Sequence, residues 1–354
     1  MRSQLAAERG AESTTVPLPT ANSVMKTREN ELIERIEKAL GRRLHASREV
    51  RLGIGDDAAL LRPRAGHELI LTCDWFLEGT HFLRDKHPAD SVGWKCLARA
   101  LSDVAAMGGA PRCFLLSLAI PASHTRRWLN EFLAGLRRAS RKFQCVLAGG
   151  DTTRRDNILI NVTVVGEVRI GHAILRSGAR DGDIIYVSGR LGEAALGLRI
   201  LKGSKHTISS RDTRLRKHLY PEPRLALGRW LAEKRLATSM IDISDGLSTD
   251  LRHLCPAPHL GAVLDPDWFP AVEVPARLQQ GIGDPLDLAL HGGDDYELLF
   301  TVRRGKLPSL PGKLRGLTIS PIGYVTSGPN LVWYDPKNPK ILHPSGWDPF
   351  RRAK

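Results

Sequence analysis

The chain has 354 residues, 42% of them hydrophobic and 25% charged, a composition that fits a globular protein of about two domains. Its formal charge is +14, yet Arg and Lys are scattered and no basic patch is interleaved with aromatics, so the charge suits anionic metabolites rather than nucleic acid. No apolar run approaches the roughly 18 residues of a membrane helix, and residues 1–24 lack the apolar stretch of a secretory signal.

In chain order, residues 1–28 read as a disordered tail. Residues 29–40 put Leu32, Ile33, Ile36 and Leu40 on one helical face, so the ordered chain opens with a helix. Residues 69–73 read as a short strand that delivers Asp74, and a Gly-Thr-His-Phe loop follows at 79–82. Pro88 opens a long helix in which Trp94, Leu97, Ala98, Leu101 and Val104 recur at three-to-four-residue spacing, with Ser102 and Asp103 on it. Residues 114–120 suggest a strand, 124–143 an amphipathic helix, and 146–148 a strand ending in Gly-Gly-Asp151. The alternation over 158–168 predicts a half-buried antiparallel strand. A break at 166–171 divides the chain into domains of 29–168 and 169–354. Beyond it come strands at 184–187, 240–241, 262–264, 298–302 and 331–334. Helices are expected at 193–201, at 223–231 with Pro223 in its first turn, and after Gly246. Each half is mixed α/β, or α+β.

Acids stand at the ends of these apolar runs: Asp56 and Asp57, Asp74, Asp103, Asp151, Asp242 and Asp245, and Asp294. If they converge, so many carboxylates cannot all stay ionised without a cation between them, and oxygen ligands suit Mg²⁺ or Ca²⁺ rather than zinc. No phosphate-binding P-loop, nucleophile elbow or His-Glu-x-x-His is present, and the glycines at 53 and 55 lack the third of a dinucleotide fingerprint. Phosphoryl transfer matches this inventory, because it asks the protein mainly to position phosphates and neutralise their charge. Five scattered cysteines without a Cys-x-x-Cys pair give neither a zinc site nor a disulfide framework, which suits a reducing cytoplasm. Asp56, Asp57 and the Asp242-Ile-Ser-Asp245 run have a blander reading as turn and helix caps.

Gly-Ile-Gly-Asp-Asp57, Thr72-Cys-Asp74, Gly79-Thr-His81-Phe, Leu-Ser-Asp103-Val-Ala-Ala-Met-Gly108, Gly149-Gly-Asp-Thr-Thr153, Arg176-Ser-Gly-Ala, Asp242-Ile-Ser-Asp-Gly-Leu247, Gly292-Gly-Asp-Asp-Tyr-Glu297 and Gly346-Trp-Asp-Pro-Phe350 follow one another through the chain. Together the series resembles the thiamine-monophosphate kinase family. The resemblance implies a PurM-like fold, shared with aminoimidazole ribonucleotide synthetase: two mixed α/β domains, an active site in the cleft between them, and a homodimer through the N-terminal domains. It implies transfer of a phosphoryl group from ATP to thiamine monophosphate with several Mg²⁺ per site, in line and without a covalent nucleophile or general base. Another PurM-like ATP-dependent enzyme, such as aminoimidazole ribonucleotide synthetase, is the alternative.

By the same resemblance Asp57, Thr72, Asp74, Asp103, Asp151, Asp242 and Asp245 hold metal, Gly150, Asp151, Arg176 and Ser244 contact ATP, and His81, Asp294 and Trp347 contact the substrate. Two positions depart from the family pattern. Cys73 replaces a hydroxyl and is a poor Mg²⁺ ligand. Asp294 replaces a Glu and is one methylene shorter.

Overall fold

The computed structural model describes residues 28–40, 50–54, 56–204, 212–274 and 284–350. Of the tail expected over 1–28, all but Arg28 lies outside the described residues. Arg28 begins helix α1 (Arg28–Leu40).

The first sheet has four strands, β1 (His67–Leu77), β2 (Ala110–Ile120), β3 (Val146–Arg154) and β4 (Leu159–Arg169), in the order β1-β4-β2-β3. All pairs are antiparallel except β2 with β3. Helices α2 (Ala89–Ala106) and α3 (Arg127–Phe143) cover one face, burying Leu97, Leu101, Phe114, Phe132 and Val162 in a common core. α2 is buried on nearly every side, as its even apolar pattern requires. α2 and α3 approach backbone to backbone: a Cβ on Gly93 would lie 2.0 Å from the Phe132 carbonyl oxygen, and one on Gly135 1.8 Å from that of Asp90. On β1 the alternation sends Ile70, Thr72, Asp74 and Phe76 toward α2, and leaves Leu69, Leu71, Cys73 and Trp75 exposed on the other face.

The second sheet comprises β5 (Ile184–Ser188), β6 (Ala237–Asp242), β7 (Leu260–Leu264), β8 (Leu298–Val302), β9 (Leu317–Ser327), β10 (Leu331–Trp333) and β11 (Lys340–Ile341), in the order β11-β10-β7-β9-β5-β8-β6. A short strand, Lys313–Leu314, pairs with β9. Among the described residues, five α-helices follow the first three in sequence: α4 (Glu193–Gly203), α5 (Arg216–Leu219), α6 (Leu225–Glu233), α7 (Leu247–Leu254) and α8 (Pro285–His291). α6 lies between this sheet and α2. Leu227 and Leu231 share a core with Met240, Phe300 and Ile319 on one side and Ala105 and Ala106 of α2 on the other. There too the backbones nearly touch, since a Cβ on Gly228 would sit 2.0 Å from the Ala105 carbonyl oxygen.

Several expectations are corrected. β1 runs through Asp74 to Leu77 and β3 through Asp151 to Arg154, so both acids lie within strands rather than at strand ends. β4 is buried on both faces, because it is central in its sheet and a hairpin of Val50–Leu52 with Leu60–Leu61 packs Val50 and Ala59 on the outer side against Cys113, Ala148 and Val165. α3 begins at Arg127, after a separate turn at Ala122–His124. Pro223 precedes α6, whose N-cap is Arg224. β9 escapes a reading by pattern because Pro321 and Gly323 interrupt it at a bulge.

Candidate active site

A cavity of about 580 Å³ opens between the two halves, walled by β1, the 79–83 loop and α2 on one side and by α4, the 242–245 and 292–296 loops and Trp347 on the other. It brings together Asp74, His81, Asp103, Asp242, Ser244, Asp245, Asp294 and Trp347, residues drawn from nearly the whole length of the chain.

The carboxylates sense one another. Burial raises the Asp74 carboxyl above its usual range; Arg99 opposes this, and Asp103, Asp245 and Asp294 add to it. Burial, then the charge of Asp103, push Asp242 up to about 7, with Asp74 reinforcing and Arg176 opposing. Burial also raises Asp245. Thr72 donates its hydroxyl to Asp103 and so ties β1 to α2 at this point. Among the described residues no three His, Cys, Asp or Glu side chains close on a single metal position.

The Asp242-Ile-Ser-Asp-Gly run enters the cavity on a loop that Asp250, in the first turn of α7, holds from behind. One Asp250 oxygen accepts the backbone N–H groups of Ser244 (3.1 Å), Asp245 (3.2 Å) and Gly246 (3.1 Å). Gly246, at φ 114°, makes the turn that a side chain would strain. The C-terminal segment is pinned to the same loop, with Trp347 N–H donating to the Asp245 carbonyl at 2.7 Å. Trp347 thereby stands at the cavity mouth, half exposed.

Asp294 reaches the cavity from the other domain at φ 70°, and both its oxygens are engaged: Lys95 Nζ donates to Oδ2 at 2.8 Å and the Tyr296 hydroxyl to Oδ1 at 2.6 Å. Burial alone would raise its carboxyl, but the charges of Lys95 and then Arg99 hold it far below the usual range. The fully buried Lys95 ammonium also donates to His218 Nδ1 (3.4 Å), and His218 Nε2 lies 2.9 Å from His87 Nε2. Burial holds both imidazoles neutral at pH 7, His87 at about 4. His81 accepts the Leu77 N–H on Nδ1 at 3.0 Å, and burial lowers it to about 4, so it offers Nε2–H as a donor.

The remaining residues expected at the site lie apart. Arg176 is exposed on a turn beside Asp242 but outside the cavity wall. Gly150 and Asp151 lie on β3, where Asp151 pairs in register with Ser117 and faces away from α2. A Cβ on Gly150 would collide with the Leu116 carbonyl oxygen at 1.9 Å. Asp57 is exposed in the loop of the hairpin that crosses this same outer face. Sequence reading missed Lys95 and Arg99, although 95, 99 and 103 are spaced by four along one helix and polar residues on a buried helix are signal enough. It also missed Asp250, which the acid in the first turn after Gly246 could have announced.

The chain matches the family models described as AIR synthase related protein, N-terminal domain, over residues 55–168, and AIR synthase related protein, C-terminal domain, over residues 180–335. Fold and cleft thus define a two-domain protein of the AIR synthase-related class. Within it, the chain is 38% identical to the thiamine-monophosphate kinase of Escherichia coli strain K12 over 315 residues, 87% of this chain and 95% of that protein. The solved thiamine-monophosphate kinase of Stenotrophomonas maltophilia K279a is 36% identical with a TM-score of 0.73, covering 85% of this chain and 95% of its own. A structure described as AaThiL complexed with AMPPCP and TMP is 30% identical with a TM-score of 0.71, covering 92% and 100%. The chain belongs to the thiamine-monophosphate kinase family.

Proposed function

We propose that the chain transfers the γ-phosphoryl group of ATP to the phosphate of thiamine monophosphate, giving thiamine diphosphate and ADP. One observation carries the reading: Asp74 and Asp103 of the first domain meet Asp242 and Asp245 of the second across one cavity that also holds His81 and Trp347. The relatives named above support it, and no similar protein named there favours an aminoimidazole ribonucleotide synthetase.

The donor set fits a hard divalent cation. Buried acids whose proton affinity is raised by one another are relieved by positive charge, and Mg²⁺ is commonly held by one or two carboxylates with phosphates and water completing its shell. Asp74, Asp103, Asp242 and Asp245, with Thr72 steadying Asp103, would hold it, and Mg²⁺ so held supplies neutralisation of the β- and γ-phosphates. Arg176 and Ser244 are assigned to ATP. His81, Asp294 and Trp347 form the acceptor side, where the Trp347 ring can stack on the cationic thiazolium for about 1–2 kcal/mol. Phosphate monoesters have a second pKa near 6, so the acceptor oxygen is ionised at neutral pH and no side chain need act as base. Incubation with Mg-ATP and thiamine monophosphate yields thiamine diphosphate without a labelled protein intermediate. ATP turnover that leaves thiamine monophosphate unchanged would refute the reading.

We assign a homodimer to the outer face of the first sheet, where Leu71 is 69% and Trp75 56% exposed beside Leu69 and Leu115. Asp57 and Asp151 lie on that same side, so pairing of two such faces would carry them toward a shared site. Leu71→Asp then gives a monomer in sedimentation at concentrations where the native chain is dimeric. The free state of all five cysteines supports a reducing cytoplasm, and among the described residues no helix is long and apolar enough to cross a membrane.

A further inference from the structure

α2 presents three charged side chains to the cavity side at four-residue intervals, and two of them have partners: Lys95 is paired with Asp294, and Asp103 accepts from Thr72. The third, Arg99, has none. Its Nε and Nη1 are cut off from solvent without an acceptor among the described residues. Leaving guanidinium N–H groups buried and unmatched costs free energy, and the arrangement persists only where something compensates. The side chain is held by an aromatic surface instead of an acid, with its guanidinium carbon 5.3 Å from the centre of the Phe76 ring. Burial would lower its proton affinity, but Tyr296, Asp294, Asp74 and Asp242 outweigh this and keep it charged.

Its place in the cavity is specific. Arg99 lines the wall together with His81, Asp294 and Trp347 of the acceptor side and with Asp74, Asp103 and Asp242 of the carboxylate side. An acceptor whose rings stack at Trp347 and whose phosphate faces those carboxylates must carry that phosphate past Arg99. A planar, permanently charged fork suits a tetrahedral phosphate, and unlike a mobile cation it is fixed before the ligand arrives.

We propose that Arg99 is a specificity-determining residue that binds the phosphomonoester of the acceptor, so that the site selects the phosphorylated vitamin over the free alcohol. This rests on the kinase reading above. The test measures binding of thiamine monophosphate and of thiamine to the native chain, Arg99→Met and Arg99→Lys by calorimetry in Mg²⁺ without nucleotide, alongside the KM for ATP. Arg99→Met keeps an apolar stem on Phe76 and is expected to weaken thiamine monophosphate about 10- to 100-fold. Thiamine binding and the KM for ATP stay within about twofold, and Arg99→Lys recovers part of the loss. Equal binding of thiamine monophosphate by native and Arg99→Met protein, or parallel loss of both ligands, overturns the proposal. If the native chain binds thiamine monophosphate yet forms no thiamine diphosphate, the kinase reading fails, while the difference between the two ligands still decides the role of Arg99.

Discussion

Asp242→Asn is expected to lower phosphoryl transfer by about 10³-fold and, in chelator, to raise the melting temperature by about 3–6 °C. Both effects come from one feature. Asp242 ends β6 fully inside the protein, where burial and the Asp103 charge hold its carboxyl at about 7 instead of 3.8. Keeping that group ionised at neutral pH costs folding free energy, and the site accepts the cost to have a carboxylate at the cation position.

The sign follows from linkage. The unfolded chain loses this proton near pH 4 and the folded chain only near 7, so across that interval the folded state binds more protons and stability falls as pH rises. Asn removes the titration, and the slope of melting temperature against pH between about 4 and 7 becomes shallower in the variant. A variant that melts lower than the native protein, or that retains activity, would show that Asp242 is a structural cap and no part of a cation site.

The site was legible in the sequence where chemistry is written into short runs. Ser244-Asp245-Gly246 and Gly292-Gly293-Asp294 read as loops because glycine and hydroxyls do not extend strands, and both loops do line the cavity. The Gly149-Gly-Asp151 run carries the same letters yet continues as strand, because β2 offers β3 a full parallel ladder in which even Gly150 pairs with Leu116. Tertiary hydrogen bonding there overrides local preference. Which face an acid occupies was not legible either. Asp74 and Cys73 are neighbours in sequence and opposites in space, and the choice between them rests on Ile70 and Phe76 packing inward, a fact of the core.

The late acidic motif makes the same point at higher resolution. Of its four side chains after the glycines, only Asp294 lines the cavity as an acid. Asp295 is buried and accepts the N–H groups of Gly192 (2.6 Å) and Ala194 (3.2 Å) at the start of α4. Tyr296 serves Asp294 through its hydroxyl. Glu297 is fully buried and supports the domain behind the site. A run that resembles a substrate site is therefore largely the framework that fixes one acid at φ 70°.

Glu297→Ala should accordingly be the most damaging single change to stability, about 3–5 kcal/mol, and should lower the melting temperature by roughly 10 °C. Its carboxylate receives the Arg224 guanidinium through both oxygens, Lys217 Nζ at 2.7 Å and the Ser188 hydroxyl at 2.6 Å. Those donors come from α5, the N-cap of α6 and the end of β5, so one carboxylate ties three elements together. Burial would raise the Glu297 carboxyl, but Arg224 and Lys217 overcome it and hold it below its usual range. Alanine leaves two part-buried cations, Arg224 and Lys217, facing each other across a cavity, so the loss exceeds that of a salt bridge at the surface. Arg224 also starts α6, which carries the contact between α2 and the second sheet. The loss should therefore appear in the coupling of the two halves as well as in the second alone, as increased hydrogen exchange of α6 and of the Ala105–Ala106 end of α2. Glu297→Gln separates the contributions: it keeps the volume and the bond from Ser188, and is expected to recover about half of the deficit. Equal melting of Glu297→Ala and native protein would mean that the cluster is idle in the fold and that Asp294 is held by Lys95 and Tyr296 alone.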